Sequence, residues 1–339
     1  MSQNKKIIIN FGLLITLIII TFLIIFRDYS FINTINIMLK AKTIYIVLAI
    51  VSMLTCLLLE SINVKLTLTS LGSKVTLPKM LKYVFIEFFF SGITPGGSGG
   101  QPMEIYYMKK EGIPVTSSTL ALLIELCSYH IITIILGFIG VAMNYELLNN
   151  SFLWIFIIGL ALKIVTLTVM LICLFSKRIS KFLVKILIKI CQIFKYSKVD
   201  ELTTKLDETF NIYNDGSKFI KKHKTIFLRS LFIVTLRVIV YYSVTYFISL
   251  SFGLNTYNYI KIISIQALLL VTVSSIPLPG SVGISENVFL NINEKIFTMQ
   301  YLPSGLLLSR SVNFYLFMLL GLLVLIINTI YLRRKHLTD

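Results

Sequence analysis

Six unbroken apolar runs constrain this chain more than any other feature of its sequence. They cover residues 7–26, 43–62, 114–143, 152–175, 225–248 and 304–332. About 20 helical residues cross the ~30 Å hydrocarbon core of a bilayer. A soluble domain could not bury a chain that is 56% hydrophobic and only 14% charged, because much of its surface stays near water. The sequence therefore predicts an all-α integral membrane protein.

Two further apolar segments are each interrupted by proline and glycine. Segment 80–108 breaks at 94–97 (Thr-Pro-Gly-Gly), and segment 259–299 breaks at 277–280 (Pro-Leu-Pro-Gly). Proline removes a backbone donor and costs about 3 kcal/mol inside a helix. Within hydrocarbon the freed backbone groups need partners from neighbouring helices or a wet cavity. Two re-entrant helical hairpins satisfy this need, and the alternative is eight ordinary spans with two proline kinks.

The charges of the loops predict the topology through the positive-inside rule. Stretch 176–224 carries twelve Lys and Arg against five Asp and Glu, whereas 144–151 carries Glu146 and no Lys or Arg. The first is expected in the cytoplasm and the second outside. Lysines in 63–82 and the basic residues 333–335 are also expected inside. Both termini are then cytoplasmic, in a plasma-membrane protein with six full spans and two hairpins.

The predicted segments run through the same order twice, in opposite directions across the membrane. We therefore predict that residues 1–339 form a single membrane domain with an inverted repeat, repeat one covering 5–143 and repeat two 152–335. Each break is followed by a glutamate, Glu104 or Glu286. Repeats of this kind place a substrate site near the midplane, between discontinuous helices of the two halves.

The first break has the composition of a site for an anionic group. Gly96, Gly97, Gly99 and Gly100 are expected to present backbone N–H groups, which can hold a phosphate as helix N-termini and nests do. The alternative is a packing hairpin whose glycines only permit close backbone approach. No Gly-Lys-Ser/Thr follows, so a nucleotide loop is not supported.

Charged residues inside the apolar segments are the other candidates for a role in binding. Lys163 and Arg237 lie at the centres of their segments, where each charge costs roughly 2.5–3.5 kcal/mol on an insertion scale. One interpretation is internal pairing of these two cations, for instance with Glu125 or Glu87. The other is that the cations face a wet groove, where arginine can bind a lipid phosphate with two hydrogen bonds.

These arguments give a predicted headgroup site and exclude several chemistries. The predicted headgroup-binding residues are Thr94, Gly96, Gly97, Gly99, Gly100, Gln101, Glu104, Arg237, Pro279, Gly280, Gly283, Glu286 and Arg310. The four cysteines have no Cys-x-x-Cys spacing and the three histidines are far apart, so no metal site, catalytic group or cofactor is predicted.

The net charge of +17 is assigned to anionic lipid rather than nucleic acid. Loop 176–224, with lysines four residues apart among apolar ones, is expected to form an amphipathic helix on that lipid surface.

The two breaks also resemble a known family. The runs 94–102 (Thr-Pro-Gly-Gly-Ser-Gly-Gly-Gln-Pro) and 277–286 are similar to those in the membrane domain of the lysyl-phosphatidylglycerol synthase/flippase family, the multiple peptide resistance factors. The resemblance covers nearly the whole chain, and Arg310 matches the arginine usual in the last span. The chain departs from the family by reading Glu125-Leu126-Cys127 where a Glu-Arg pair is common, and by one glycine fewer in the second break.

The resemblance implies a membrane domain that moves lipids between leaflets, in proteins linked to resistance against antimicrobial peptides. The substrate is expected to be an anionic or aminoacylated phospholipid. Full-length synthases continue into a soluble domain that transfers an amino acid from tRNA, whereas this chain stops at Asp339, so we expect a stand-alone form. The alternatives are the membrane part of lipid aminoacylation with a separate catalytic domain, and a non-transporting scaffold for a lipid-modifying enzyme.

Overall fold

A computed structural model describes residues 3–338 apart from 148–149, 176–218, 220–221, 275 and 277. The described part is helical and contains no β-strand. Five helical stretches are long and apolar enough to cross a membrane, and a sixth is added if the bent pair Gly12–Arg27 and Phe31–Leu39 forms one span. The protein is therefore a multi-pass, all-α membrane protein, as predicted.

Eleven helices can be followed through the described residues. In chain order they are α1 (Gln3–Asp28), α2 (Phe31–Leu39), α3 (Thr43–Ser70), α4 (Leu77–Ile93), α5 (Gly100–Lys110), α6 (Val115–Asn144), α7 (Asn150–Phe175), α8 (Lys224–Ser251), α9 (Tyr259–Val273), α10 (Ile284–Arg310) and α11 (Leu316–Thr338). A 3₁₀ turn, Tyr145–Leu147, follows α6, and a π-helical turn, Ser311–Tyr315, joins α10 to α11.

The helix ends follow from local sequence. α4 begins after the extended residue Thr76 with Pro78 in its first turn, and it ends just before Pro95. Proline is tolerated in a first turn and disfavours a helical residue before it. The short helix α2 was not predicted; the Ser30 side chain caps it by accepting from the Asn33 N–H at 3.4 Å, and the chain bends by 96° before it.

The helix contacts link the two halves of the chain in a reciprocal way. α3 and α8, the second long helix of each predicted repeat, pack against each other. α4, the first arm of the first broken segment, packs against α11, and α9, the first arm of the second, packs against α6. Each arm thus lies against the last long helix of the other half.

The second half differs from the predicted segments at its end. The apolar run predicted at 304–332 belongs to a longer helical stretch, which begins at Ile284 and is kinked at Thr298. Thr298 has φ 51° and ψ 159°, a conformation that interrupts the helix near the predicted end of the interrupted segment at 299. The predicted segment end at 299 thus lies beside the kink. Apolarity does not indicate the positive φ of Thr298 that produces it.

The amphipathic helix predicted for 176–224 lies almost entirely outside the described residues. Its orientation and its contact with anionic lipid remain predictions.

A buried polar network joins three of the long helices. The Asn63 amide of α3 donates to the Ser230 hydroxyl of α8 at 3.0 Å, and the Ser128 hydroxyl of α6 donates to the same Ser230 oxygen at 2.9 Å. All three side chains are at most 1% exposed. Such interhelical bonds hold apolar helices in one register, since lipid-facing surfaces provide little discrimination between alternatives.

We expect Ser230→Ala to lower the stability of the folded chain by about 1 kcal/mol, because it removes the shared partner of two buried polar groups. Ser70→Ala is the matched control, since Ser70 is exposed and bonds only to its own helix. Thermal unfolding in detergent measures both variants. An equal loss in the two would contradict a role for the network.

Candidate functional site

The two proline-glycine breaks touch each other in the folded protein. An isolated antiparallel bridge pairs Pro95 of the first loop, 94–99, with Pro279 of the second, 274–283. The arms α4 and α5 pack together, as do α9 and α10. The interruptions that lie far apart in the sequence therefore form one structural centre.

Hydrogen bonds inside the first loop use the backbone groups freed by the break. The Thr94 hydroxyl donates to the Phe90 carbonyl at 2.7 Å and accepts from the Gly99 N–H at 2.9 Å. The Gly97 and Gly100 N–H groups donate to the carbonyls of Thr94 and Gly97. Our expectation of four free glycine amides is thus wrong for Gly97, Gly99 and Gly100, whose N–H groups are engaged within the loop.

The second loop is closed by an ion pair. The Glu286 carboxylate accepts from the Gly283 N–H at 2.6 Å, which caps α10, and from Arg310 Nε at 2.7 Å. The Arg310 guanidinium also donates to the Gly280 carbonyl at 3.0 Å. Arg310 comes from the end of α10, so it ties this loop to the helix that follows it.

A cavity of about 290 Å³ lies between the two loops and the helices around them. Gly96, Gly97 and Gly280 line it from the loops, and Arg310 lines it from the end of α10. We refer to this space as the loop cavity. Arg310 is the charged side chain in its lining, so the site can attract an anionic group.

Several polar atoms at the loop cavity have no hydrogen-bond partner within the described part of the chain. They are the hydroxyls of Tyr242, Ser274 and Ser309 and the side-chain carbonyl of Asn313, all of which belong to lining residues. Buried polar groups without a partner are rare in folded proteins and call for an explanation. Three hydroxyl donors next to a guanidinium suit an oxygen-rich anion.

The π-helical turn and a glycine shape this cavity. The turn places the Phe314 ring against the Arg310 guanidinium, whose central carbon lies 4.5 Å from the centroid of that ring. Gly280 has φ +57°, and a Cβ there would come within 2.4 Å of the Phe314 ring. Glycine is required at 280 for both reasons, its conformation and the close ring. π-helical turns recur at functional sites.

A second charged centre surrounds Arg237 on α8. Its guanidinium lies 3.1 Å from Glu60 of α3 and also contacts Glu125 of α6. A smaller cavity of about 180 Å³ adjoins the loop cavity here and is lined by Glu60, Glu87 and Arg237. We call this space the acidic cavity. Phe88, Tyr129, Tyr241 and Leu270 line both cavities.

Four carboxylates from four helices gather at this centre. Glu104 of α5 is 1% exposed, has a buried oxygen with no hydrogen-bond partner in the described chain, and interacts electrostatically with Glu60, Glu87, Glu125 and Arg237. Glu87 of α4 accepts from the Ser91 hydroxyl at 2.6 Å. We call Glu60, Glu87, Glu104 and Glu125 the acidic cluster.

Gly100 allows the first loop to close over this cluster. A Cβ at Gly100 would lie 2.0 Å from the Ser91 hydroxyl and 2.5 Å from a carboxylate oxygen of Glu87. The absence of a side chain at this position therefore leaves room for the Glu87–Ser91 pair.

Lys163 is placed differently from our internal-pairing interpretation. It is 1% exposed, and its ammonium donates to the Thr133 hydroxyl at 3.1 Å and lies 5.0 Å from the centroid of the Tyr129 ring. No carboxylate of the described residues lies within ion-pair distance of it. A hydroxyl and a π-face thus take the place of Glu87 or Glu125.

The predicted headgroup residues divide into groups in the structure. Gly96, Gly97, Gly280 and Arg310 line the loop cavity, whereas Arg237 lines the acidic cavity. The remaining residues, none of which lines either cavity, are Thr94, Gly99, Gly100, Gln101, Glu104, Pro279, Gly283 and Glu286.

Sequence reasoning missed Glu60 as a partner of Arg237. Glu60 stands near the end of a long apolar run, where a lone carboxylate indicates a polar interior contact. That signal was available in the sequence. The sequence could not identify Arg237 as the partner of Glu60, because the two residues lie far apart along the chain.

We expect Arg237→Gln to destabilise the folded chain by about 3–5 kcal/mol, because removing one partner of a buried ion pair leaves the other charge uncompensated. Lys261→Gln is the matched control, since Lys261 forms a surface pair with Glu146 and such pairs contribute at most about 1 kcal/mol. Thermal or denaturant unfolding in detergent compares them. Equal stability of Arg237→Gln and the unmodified chain would refute the pairing role.

Comparison with known proteins agrees with this architecture. A family model described as "Lysylphosphatidylglycerol synthase TM region" matches residues 9–321 of the chain. No curated protein matches the sequence. The match includes both loops, Arg237 and Arg310. The chain therefore belongs to the family of the lysylphosphatidylglycerol synthase transmembrane region, and its function concerns membrane lipids.

Proposed function

We propose that the protein moves a phospholipid between the leaflets of the plasma membrane, with the headgroup phosphate held in the loop cavity. The observation that carries the proposal is the lining of that cavity. It contains Arg310 together with three residues whose buried hydroxyls have no hydrogen-bond partner within the described chain. Arginine can hold a phosphate with two hydrogen bonds, and hydroxyl donors fill the remaining acceptor positions.

The dimensions of the loop cavity favour the headgroup alone. At about 290 Å³ it lies just below the roughly 300–1,000 Å³ found for small-molecule sites. The acyl chains of a phospholipid then remain in the bilayer while the headgroup passes. The lipid can be anionic or aminoacylated, because the phosphate is common to both.

The predicted inverted repeat with two re-entrant hairpins is part of this proposal. The reciprocal packing of α4 on α11 and α9 on α6 is the pattern expected of two halves related by a twofold axis in the membrane plane. Transporters built this way bind substrate at discontinuous helices near the midplane. Pro95 and Pro279, whose loops meet, occupy the corresponding positions here.

The description of the family supports a second candidate. The chain can serve as the membrane part of lysyl-phosphatidylglycerol synthesis, together with a catalytic domain on another chain. Purified chain in vesicles distinguishes the two, since lipid movement needs no catalytic partner and lipid aminoacylation does.

We expect the double variant Arg310→Gln/Glu286→Gln to fold but to move lipid at least about tenfold more slowly, since hydrogen bonds to charged groups contribute about 1.5–3 kcal/mol. Changing both residues avoids stranding the Glu286 carboxylate. Movement of tail-labelled phosphatidylglycerol in proteoliposomes, followed by quenching from outside, gives the rate. Arg27→Gln is the control, because Arg27 is exposed.

Wild-type rates in the double variant would remove the loop cavity from the proposal. No movement in the unmodified chain would favour the second candidate.

The predicted topology can be tested separately. In a background without the native cysteines, Asn149→Cys should react with an impermeant maleimide added outside intact cells, and Lys198→Cys should react only after permeabilisation. We expect this pattern because 176–224 has an excess of Lys and Arg, and the positive-inside rule places such a loop in the cytoplasm. The opposite labelling pattern would invert the orientation while leaving the repeat intact.

A further inference from the structure

We infer that the acidic cluster binds a proton beside the loop cavity and that binding and release of this proton are coupled to lipid movement. The inference rests on the proposed function and adds a coupling ion to it. It is carried by the geometry around Glu104, by the local charge balance and by the walls that the two cavities share.

The two glutamates that follow the breaks have different surroundings. Glu286 is held by Arg310 and by the Gly283 N–H. Glu104, which occupies the corresponding place after the first loop, is 1% exposed and has an oxygen with no partner in the described chain. Arg237 also acts on Glu104, but its guanidinium already pairs with Glu60 and Glu125. A buried acid among three other acids therefore requires a further cation or a proton.

The charges around Glu104 do not balance. The acidic cluster contains four carboxylates, and Arg237 is the cation that contacts them. Lys163 reaches the same region through the Tyr129 ring, and even with its charge two negative charges remain. An uncompensated buried ion costs several kcal/mol, so protons on the carboxyl groups are the simplest compensation.

The other titratable groups facing the cluster come from three of the helices around it. Cys56 of α3, Tyr129 of α6 and Tyr241 of α8 belong to the lining of the acidic cavity. None of them carries a positive charge, so none can neutralise Glu104.

A proton fits this site better than a metal ion. Among the described residues no group of three or more His, Cys, Asp or Glu side chains has the geometry to hold a metal. A proton needs one oxygen and no coordination sphere. It enters the cluster from the acidic cavity, which Glu60 and Glu87 line, as a carboxylate becomes a carboxylic acid.

The position of the cluster connects proton binding to the substrate. Phe88, Tyr129, Tyr241 and Leu270 line both cavities, and Arg237 also packs over the Tyr129 ring at 5.4 Å. A change in the charge around Arg237 therefore acts on Tyr129, which is part of the wall of the loop cavity.

Infrared difference spectroscopy tests the proton site without any transport. In phosphatidylglycerol liposomes, which offer no amine, the full chain should show a protonated-carboxyl band that disappears as the pH rises. Glu104→Gln should reduce this band by the part that Glu104 contributes. Glu146→Gln is the control, because Glu146 is an exposed surface acid, and it should retain the band. An unchanged band in Glu104→Gln would overturn the inference.

Glutamine has the shape of a protonated glutamate, so Glu104→Gln should fold. A variant that failed to fold would show that the negative charge itself is required and would also overturn the inference.

Lipid movement under imposed gradients tests the coupling. In potassium buffers, a pH gradient should drive a net transfer of labelled phosphatidylglycerol to one leaflet, and Glu104→Gln should abolish that transfer. A sodium gradient that drove transfer where the pH gradient did not would overturn proton coupling. Transfer indifferent both to the pH gradient and to Glu104→Gln would do the same and leave the proposed function standing. A titrating Glu104 band without any lipid movement would retain the site and reject the proposed function.

Discussion

A helix broken inside an apolar environment leaves backbone donors and acceptors that water cannot reach. The centre of this protein is arranged around that constraint. In the first loop the Thr94 hydroxyl accepts from the Gly99 N–H. In the second loop the Glu286 carboxylate caps Gly283, and Arg310 donates to the Gly280 carbonyl. These bonds use several of the freed backbone groups, and the two loops meet through Pro95 and Pro279.

This arrangement assigns a role to the glycines different from that of a phosphate nest. Gly280 combines a left-handed conformation with close approach to Phe314, and Gly100 leaves space for Glu87 and Ser91. Most amides of the first loop are used to hold the loop itself. In the proposed function, recognition of the phosphate therefore depends on side chains, chiefly Arg310 and the hydroxyls of Tyr242, Ser274 and Ser309. The glycines bring these side chains together.

The sequence was sufficient for the class of fold and for the position of both breaks, because apolar runs and proline-glycine pairs act locally. It did not predict α2, which lies in the gap between the apolar runs 7–26 and 43–62. It ended the second interrupted segment at 299 but did not indicate the positive φ of Thr298 that kinks the chain there. It offered pairing of Arg237 with Glu125 as one of two interpretations, but it could not decide between this pairing and a substrate role, because the contact joins α8 to α6. Lys163 shows the same limit: its Thr133 hydroxyl and Tyr129 ring are partners that a search for carboxylates overlooks.

The placement of Arg237 connects the charge balance with motion between the two halves. Arg237 belongs to α8 of the second half, whereas Glu60 and Glu125 belong to α3 and α6 of the first. The α3–α8 contact lies where a twofold axis would relate the halves, so a rocking motion of one half against the other acts directly on this ion pair. Protonation of the acidic cluster would weaken the attraction between Arg237 and the first half. In the proposed mechanism a proton thus weakens the contact of Arg237 with Glu60 and Glu125, across which the two halves move. This contact lies beside the wall that the acidic cavity shares with the loop cavity.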